Sequence, residues 1–173
     1  AVRFEFPYMA ERRRGGRRRL PDRTEVLLDA WRAVLADMDP ARTVIGGKSL
    51  GGRMASMIAD EDGVRGLLCL GYPFHPPGTP EKTRIGHLHD LRTPALFLQG
   101  TRDTFGGRGE AEAYRLSSAI RIHWLEDDDH GFKPRRSSGR TEAQALSEAL
   151  DVAAAFILGL SALEPAAAGA VVG

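Results

Sequence analysis

Cysteine occurs once in this 173-residue chain, which excludes an internal disulfide; Cys69, in the apolar run Leu67-Leu68-Cys69-Leu70, reads as a buried free thiol. A surplus of either charge is also lacking. With a formal net charge of +1 and 27% charged residues, no strong general attraction to nucleic acid or to a membrane is expected. No stretch has the length and unbroken apolarity of a membrane span, and Ala1-Val2-Arg3-Phe4-Glu5-Phe6 lacks the layout of a signal peptide, so the expected location is cytoplasmic. No internal repeat is found. Asp127-Asp128-Asp129 lack the ligand pattern of a calcium loop, and His87 and His89 have no third ligand near them, so neither a metal nor a cofactor is expected. The one dense run of charge, Arg12 to Arg19 around Gly15-Gly16, has no interleaved aromatics and reads as an exposed, solvated loop.

What is present suits a single domain. At 42% hydrophobic residues the chain is long enough for one real core and too short for two. The expected order begins with a strand at Ala1 to Phe6. A helix follows, opened by a capping-box-like Asp22 and Glu25, with Leu27, Trp31, Val34 and Met38 on one face until Asp39-Pro40 ends it. Next come a strand at Thr43 to Gly46, a helix through Met54, Met57 and Ile58, and an almost continuous apolar run from Val64 to Gly71, as in a strand covered on both faces. Residues 72–91 form a long connection rich in proline, glycine and histidine. A strand at Pro94 to Gly100, a helix from about Arg108 to Ser118 and a strand at Ile120 to Leu125 nearer the sheet edge follow. Thr141 and Gln144 cap a last helix whose Leu146, Leu150, Ala153, Ile157 and Leu160 are expected to face inward. This alternation predicts an α/β three-layer sandwich, a mostly parallel sheet with helices on both faces. The domain is expected over 1–160, with a flexible Ala/Gly-rich tail over 161–173.

Between the strand at Thr43 and the helix at Met54 stands Gly47-Lys48-Ser49-Leu50-Gly51, a Gly-x-Ser-x-Gly pattern at a strand-to-helix turn. In a nucleophile elbow the serine sits on a strained turn that lifts its hydroxyl clear of the sheet, and side chains two residues either side would collide. Glycine at 47 and 51 is expected to remove that collision. The same residues contain Gly47-Lys48-Ser49, the tail of a phosphate-binding P-loop. That reading needs a glycine where Arg42 stands and a flexible arch where the strand formers Thr43, Val44 and Ile45 stand, so nucleotide binding ranks below the elbow. Lys48 is expected to face solvent.

A nucleophilic serine needs a base and a carboxylate to orient it. Asp103 follows the strand at 94–100 and His130 follows the strand at 120–125, giving the chain order Ser, Asp, His, each just past a strand end. Ser49, Asp103 and His130 are therefore the candidate catalytic residues. Of the other histidines, His75 is placed in the proline-rich loop near the pocket, His123 outward from its strand, and His87 and His89 on a short amphipathic turn.

With these residues in place the sequence resembles the α/β-hydrolase-like family that includes testis-expressed protein 30 and subunit 3 of the KANSL chromatin complex. The resemblance rests on Val2-Arg-Phe-Glu-Phe-Pro-Tyr8, Gly46-Gly-Lys-Ser-Leu-Gly-Gly-Arg53, Leu70-Gly-Tyr-Pro-Phe-His-Pro-Pro77, Leu98-Gln-Gly-Thr-Arg-Asp103 and Asp129-His130. It implies a hydrolase fold and the roles given to Ser49, Asp103 and His130, with the backbone N–H of Leu50 as one oxyanion donor. It also implies a further strand, between the Ala1 strand and the elbow strand, and a glycine-rich loop with the second oxyanion donor. Nothing in this sequence matches these parts, and there is no initiator methionine, so an amino-terminally incomplete copy lacking its first strand or strands is expected. Losing one oxyanion donor costs roughly 3 to 4 kcal/mol of transition-state stabilisation. The leading expectation is a serine hydrolase acting on an ester, thioester or amide-type small molecule. The alternative is a hydrolase-like binding module that keeps the elbow for packing, and nucleotide binding is third. Substrate and oligomeric state stay open.

Overall fold

The structure, a computed structural model, describes residues 1–16 and 20–162. Its strands are β1 (Val44–Lys48), β2 (Gly66–Leu70), β3 (Ala95–Gly100) and β4 (Ile120–Leu125), and its helices are α1 (Pro7–Arg13), α2 (Thr24–Leu35), α3 (Leu50–Ile58), α4 (Arg108–Ala111) and α5 (Glu142–Ala162). The strands form one sheet in the order β1-β2-β3-β4, every pair parallel. β3 is buried at every position, which is why it reads as a continuous apolar run. Its alternate side chains feed two cores: Ala95 and Phe97 join the one built with α2 and α3, Leu96 and Leu98 the one closed by α5. The three-layer α/β architecture expected from the sequence is the one observed.

Parallel pairing points the carboxyl ends of all four strands the same way, so the turns after β1, β3 and β4 gather on one edge. β4 is an edge strand, as its imperfect alternation suggested. The long connection after β2 contains a short turn of 3-10 helix at Gly86–Leu88.

The amino-terminal segment differs from expectation. Ala1 to Phe6 is not paired in the sheet; Phe4 packs edge-on against Trp31 of α2, ring centres 4.7 Å apart, and against Phe6 at 5.6 Å. A groove of about 560 Å³ lies between this segment and β1, lined by Trp31, Leu35, Met38 and Val44 among others, at the position where a further strand was expected. Aromatic contact with α2 holds the segment in place of ladder hydrogen bonds.

Four other local readings are corrected. The basic run begins inside α1, with Arg12 and Arg13 in its last turn, and Arg17, Arg18 and Arg19 lie outside the described residues. Asp22 does not cap α2: its carboxylate accepts the N–H of Tyr8 at 3.1 Å, and the N-cap position is Arg23 without a side-chain bond. The helix expected over 108–118 stops at Ala111, where it gives way to turns. Ser161 and Ala162, expected to open the tail, complete α5, and the remaining tail lies outside the described residues.

The capping box of the last helix is present. Thr141 N–H donates to Gln144 Oε1 at 2.9 Å and Gln144 N–H to Thr141 Oγ1 at 3.2 Å. The buried face of α5 is only in part the one expected, since Ala153 and Leu160 face inward but the other three do not. Ala145, Ala149, Ala153 and Leu160 are buried, whereas Leu146, Leu150 and Ile157 are 54%, 60% and 38% exposed. Leu96, Leu98, Leu125 and Phe132 already fill the space above the sheet, so the helix seats on its alanines and comes closer. With 21 residues and a mean hydropathy of 1.6, α5 does have the length and composition of a membrane span, although its alanine face is taken up by the sheet. Two substitutions on α5 test this seating. Ala149→Leu should overpack the interface and destabilise by about 1–3 kcal/mol, while Leu150→Gln should change stability by less than about 0.5 kcal/mol, both read from urea midpoints; the reverse order would mean that the leucine face is the buried one.

Candidate active site

Ser49 sits between the last residue of β1 and the first of α3 with φ 51 and ψ −116. A non-glycine residue in that region is strained by on the order of 1–3 kcal/mol, and the turn survives because both flanking elements hold it. Ser49 N–H donates to Leu70 O of β2 at 2.9 Å, and Ser49 O accepts Arg53 N–H at 3.0 Å. The steric demand falls on Gly47, where a Cβ would lie 2.9 Å from Gly51 C and 3.0 Å from Gly52 N. Gly51 is different: a Cβ there would meet nothing within 4 Å, so its predicted share of the collision is absent. Leu50 opens α3, so its backbone N–H has no carbonyl partner within the helix.

Three strand ends bring the candidate residues together. His130 Nε2 is 2.9 Å from Ser49 Oγ, and His130 Nδ1 is 2.8 Å from Asp103 Oδ2. The Asp103 side chain is fully buried and that of His130 is 22% exposed, so the open end of the line is on the serine side. Arg102 N–H donates to Asp128 O at 3.0 Å and Asp127 N–H to Thr101 Oγ1 at 2.8 Å, tying the aspartate turn to the histidine loop. The imidazole lies between the Phe105 ring, 4.3 Å away, and the backbone of Gly71. Gly71 has φ +63, and a Cβ there would lie 3.2 Å from His130 Nδ1.

Two supporting side chains escaped the sequence reading. Gln99, buried in β3, donates through Nε2 to Asp103 Oδ2 at 2.9 Å and accepts Tyr72 N–H at 2.7 Å. It thereby fixes the carboxylate and the start of the 72–91 connection with one amide. The available signal was a lone amide inside an otherwise apolar strand. The other is Lys48, which is exposed as expected, yet its ammonium donates to His130 O at 2.7 Å and lies 4.6 Å from the centre of the Phe132 ring. With Lys48 so placed and Val44 to Lys48 forming a strand, no phosphate-wrapping arch precedes Ser49.

Several of the remaining histidines and aspartates have structural partners. His75 is buried, 2.8 Å from Pro76 O and 3.4 Å from Glu110 Oε2, and His123 lies 2.7 Å from Glu148 Oε1. Asp127 pairs with Arg135 and Arg102, and Asp129 accepts the N–H groups of Gly131 and Lys133. Asp128 is fully buried with neither carboxylate oxygen bonded; burial raises its pKa against the opposing pull of Arg140. His87 Nε2 lies 2.8 Å from Ser56 Oγ, and burial, then the charges of Arg53 and His89, hold its pKa down to about 4.

Residues 1–158 match the family described as the alpha/beta hydrolase domain. The chain belongs to the α/β-hydrolase family. Solved structures share its fold at low identity. An α/β serine hydrolase homologue from Coxiella burnetii superposes with a TM-score of 0.56 at 18% identity, covering 84% of this chain and 63% of that one. An esterase domain from Rhodothermus marinus gives 0.55 at 20%, covering 79% and 68%. An α/β serine hydrolase without a lid from Xanthomonas campestris gives 0.56 at 17%, covering 86% and 62%. The chain thus spans less than two thirds of the length of the Coxiella and Xanthomonas proteins.

Two pH responses follow from these environments. A native His87 held near 4 favours the deprotonated form, so its contribution to stability is full above the unfolded value near 6.5 and is lost as pH falls toward 4. His87→Gln should flatten the fall in melting temperature over that window. Asp128 has the opposite sign: its raised native pKa favours the protonated form, so stability is lost as pH rises through it. Asp128→Asn should therefore raise the urea midpoint at pH 7 and leave it unchanged at pH 3.

Proposed function

We propose that the protein is a serine hydrolase that cleaves an ester, thioester or amide of a small molecule through an acyl-Ser49 intermediate. The observation that carries this reading is the unbroken hydrogen-bond line from Ser49 Oγ through His130 to the buried Asp103. Within the family, the quoted motifs favour kinship with testis-expressed protein 30 and KANSL subunit 3.

In the proposed cycle Ser49 Oγ attacks the substrate carbonyl while His130 Nε2 takes the hydroxyl proton. Asp103 holds Nδ1–H and balances the imidazolium charge. Negative charge developing on the carbonyl oxygen is met by the Leu50 N–H at the start of α3, one oxyanion donor. Collapse breaks the bond to the leaving alcohol, thiol or amine, which departs with the proton from His130. Water then attacks the acyl-serine, His130 again taking a proton and returning it to Ser49 as the acid is released. The strained φ of Ser49 supports the reading, since an elbow kept only for packing has no need of a serine in that conformation.

A fluorophosphonate probe tests this reading directly. The folded protein should be labelled, labelling should vanish in Ser49→Ala, and it should slow by roughly 10³-fold or more in His130→Ala and Asp103→Asn. Folded protein that takes no label, or label that persists in Ser49→Ala, would overturn the proposal, the first result favouring a binding module.

A further inference from the structure

Among the described residues, half-buried arginines find acceptors, with two exceptions. Arg32, Arg102, Arg108 and Arg140 face carboxylates, and Arg65 bonds the carbonyls of Leu160 and Ala41. Arg53 and Arg84 are half-buried, and among the described residues neither side chain has an ion pair or hydrogen bond. The Nε of Arg53 is shielded from solvent and without a hydrogen-bond partner, as are those of Arg108 and Arg140, but those two pair with carboxylates through their other nitrogens. A buried guanidinium donor left unmade costs on the order of 1–3 kcal/mol or more, so the fold retains Arg53 at a disadvantage.

The backbone contacts of both arginines lead back to the turn of α3 that follows the nucleophile. Arg53 lies one helical turn beyond Ser49, on the same side of α3, and its N–H bonds the Ser49 carbonyl at 3.0 Å. The next turn of that face carries Ser56, whose Oγ is 2.7 Å from Arg53 O and 2.8 Å from His87 Nε2. Three residues before His87, Arg84 is held by its carbonyl, which accepts the hydroxyl of Tyr72 at 2.9 Å. Tyr72 is in turn fixed by Gln99, the residue that holds Asp103. One connected set of bonds therefore places the 84–87 segment against the Arg53 turn.

We propose that Arg53 and Arg84 form an anion subsite next to Ser49, which receives a carboxylate or phosphate carried by the substrate a short distance from its scissile carbonyl. Guanidinium groups suit this task because their planar donor forks match both oxyanions. His87 is a wall of the subsite: its Nε2 is already committed to Ser56 and, at 3.4 Å, to the Tyr72 hydroxyl. The electrostatics agree: burial first, and then the charge of Arg53, lowers the pKa of both Arg84 and His87, and no carboxylate pairs with any of the three among the described residues. Like charges gathered without counter-charges mark a candidate ligand site. The substrate class is then anionic esters, such as half-esters of dicarboxylic acids or phosphate-bearing esters, in preference to neutral ones. This substrate class rests on the serine hydrolase reading; the subsite itself does not.

The kinetic test compares a neutral ester, 4-nitrophenyl butyrate, with an anionic one, mono-4-nitrophenyl glutarate. Arg53→Gln and Arg84→Gln should each lower kcat/KM for the glutarate ester by roughly tenfold or more, while changing that for the butyrate ester by less than about threefold. Arg53→Lys, which keeps the charge and loses the fork, should fall between. Equal losses on both esters, or no loss on either, would overturn the subsite. Inhibition of glutarate-ester turnover by free glutarate but not by inorganic phosphate would assign a carboxylate, and the converse a phosphate. A separate binding measurement removes dependence on catalysis: calorimetry on Ser49→Ala should detect glutarate or phosphate and lose it when Arg53→Gln is added. If fluorophosphonate labelling fails but this binding is seen, the hydrolase reading falls and the subsite stands; if neither anion binds, the subsite falls.

Discussion

The site hangs on the carboxyl group of Asp103, which is fully buried and must find its hydrogen bonds inside the protein. Burying such a group without partners would cost several kcal/mol. Gln99 Nε2 and His130 Nδ1 meet one oxygen, and Phe105 N–H meets the other at 2.8 Å. Satisfying this carboxyl therefore draws in β3, the turn that follows it and the loop after β4. Because Gln99 also holds the backbone of Tyr72 through two bonds, the same requirement positions the start of the long connection and, through the Tyr72 hydroxyl, the carbonyl of Arg84.

Ser49 is positioned by a different constraint, the close approach of α3 to β1. Backbone lies almost on backbone at Gly47, and Cys69 of β2 packs against Gly52. The lone thiol thus serves as a small apolar spacer, and its pKa is raised by burial alone. Held between the strand ladder and the first turn of the helix, Ser49 keeps a conformation that an isolated peptide would abandon. The imidazole then fits between Gly71 and Phe105, with the Lys48 ammonium gripping its backbone carbonyl. Geometry at the hydroxyl is the sum of these separate contacts.

Much of this was legible because strand-forming runs and turn residues are local properties. β2, β3 and β4 emerged within two residues of their expected positions, since an apolar run bounded by glycine or proline has few alternatives. Ser49, Asp103 and His130 could be singled out because each closely follows such a run. Readings failed where two distant segments compete for one surface. The periodicity of α5 fits a leucine face as well as an alanine face, and the choice was made by the volume of Leu96, Leu98, Leu125 and Phe132. Asp22 had the residue type of a cap, yet Tyr8 offered it a better donor. Ala1 to Phe6 had the composition of a strand, and the ring of Trp31 took it instead.

By itself the sequence determined the α/β class, the parallel sheet, the elbow at Ser49 and the order of serine, aspartate and histidine, because these depend on spacing along the chain and on the apolarity of short runs. Only the tertiary structure decided that Gln99 and Lys48 support the site, that Gly47 and not Gly51 bears the steric demand, and that, among the described residues, Arg53 and Arg84 are left without the acceptors that the other half-buried arginines have. Those outcomes depend on distances between residues far apart in the chain, which are set when the two cores pack on the sheet.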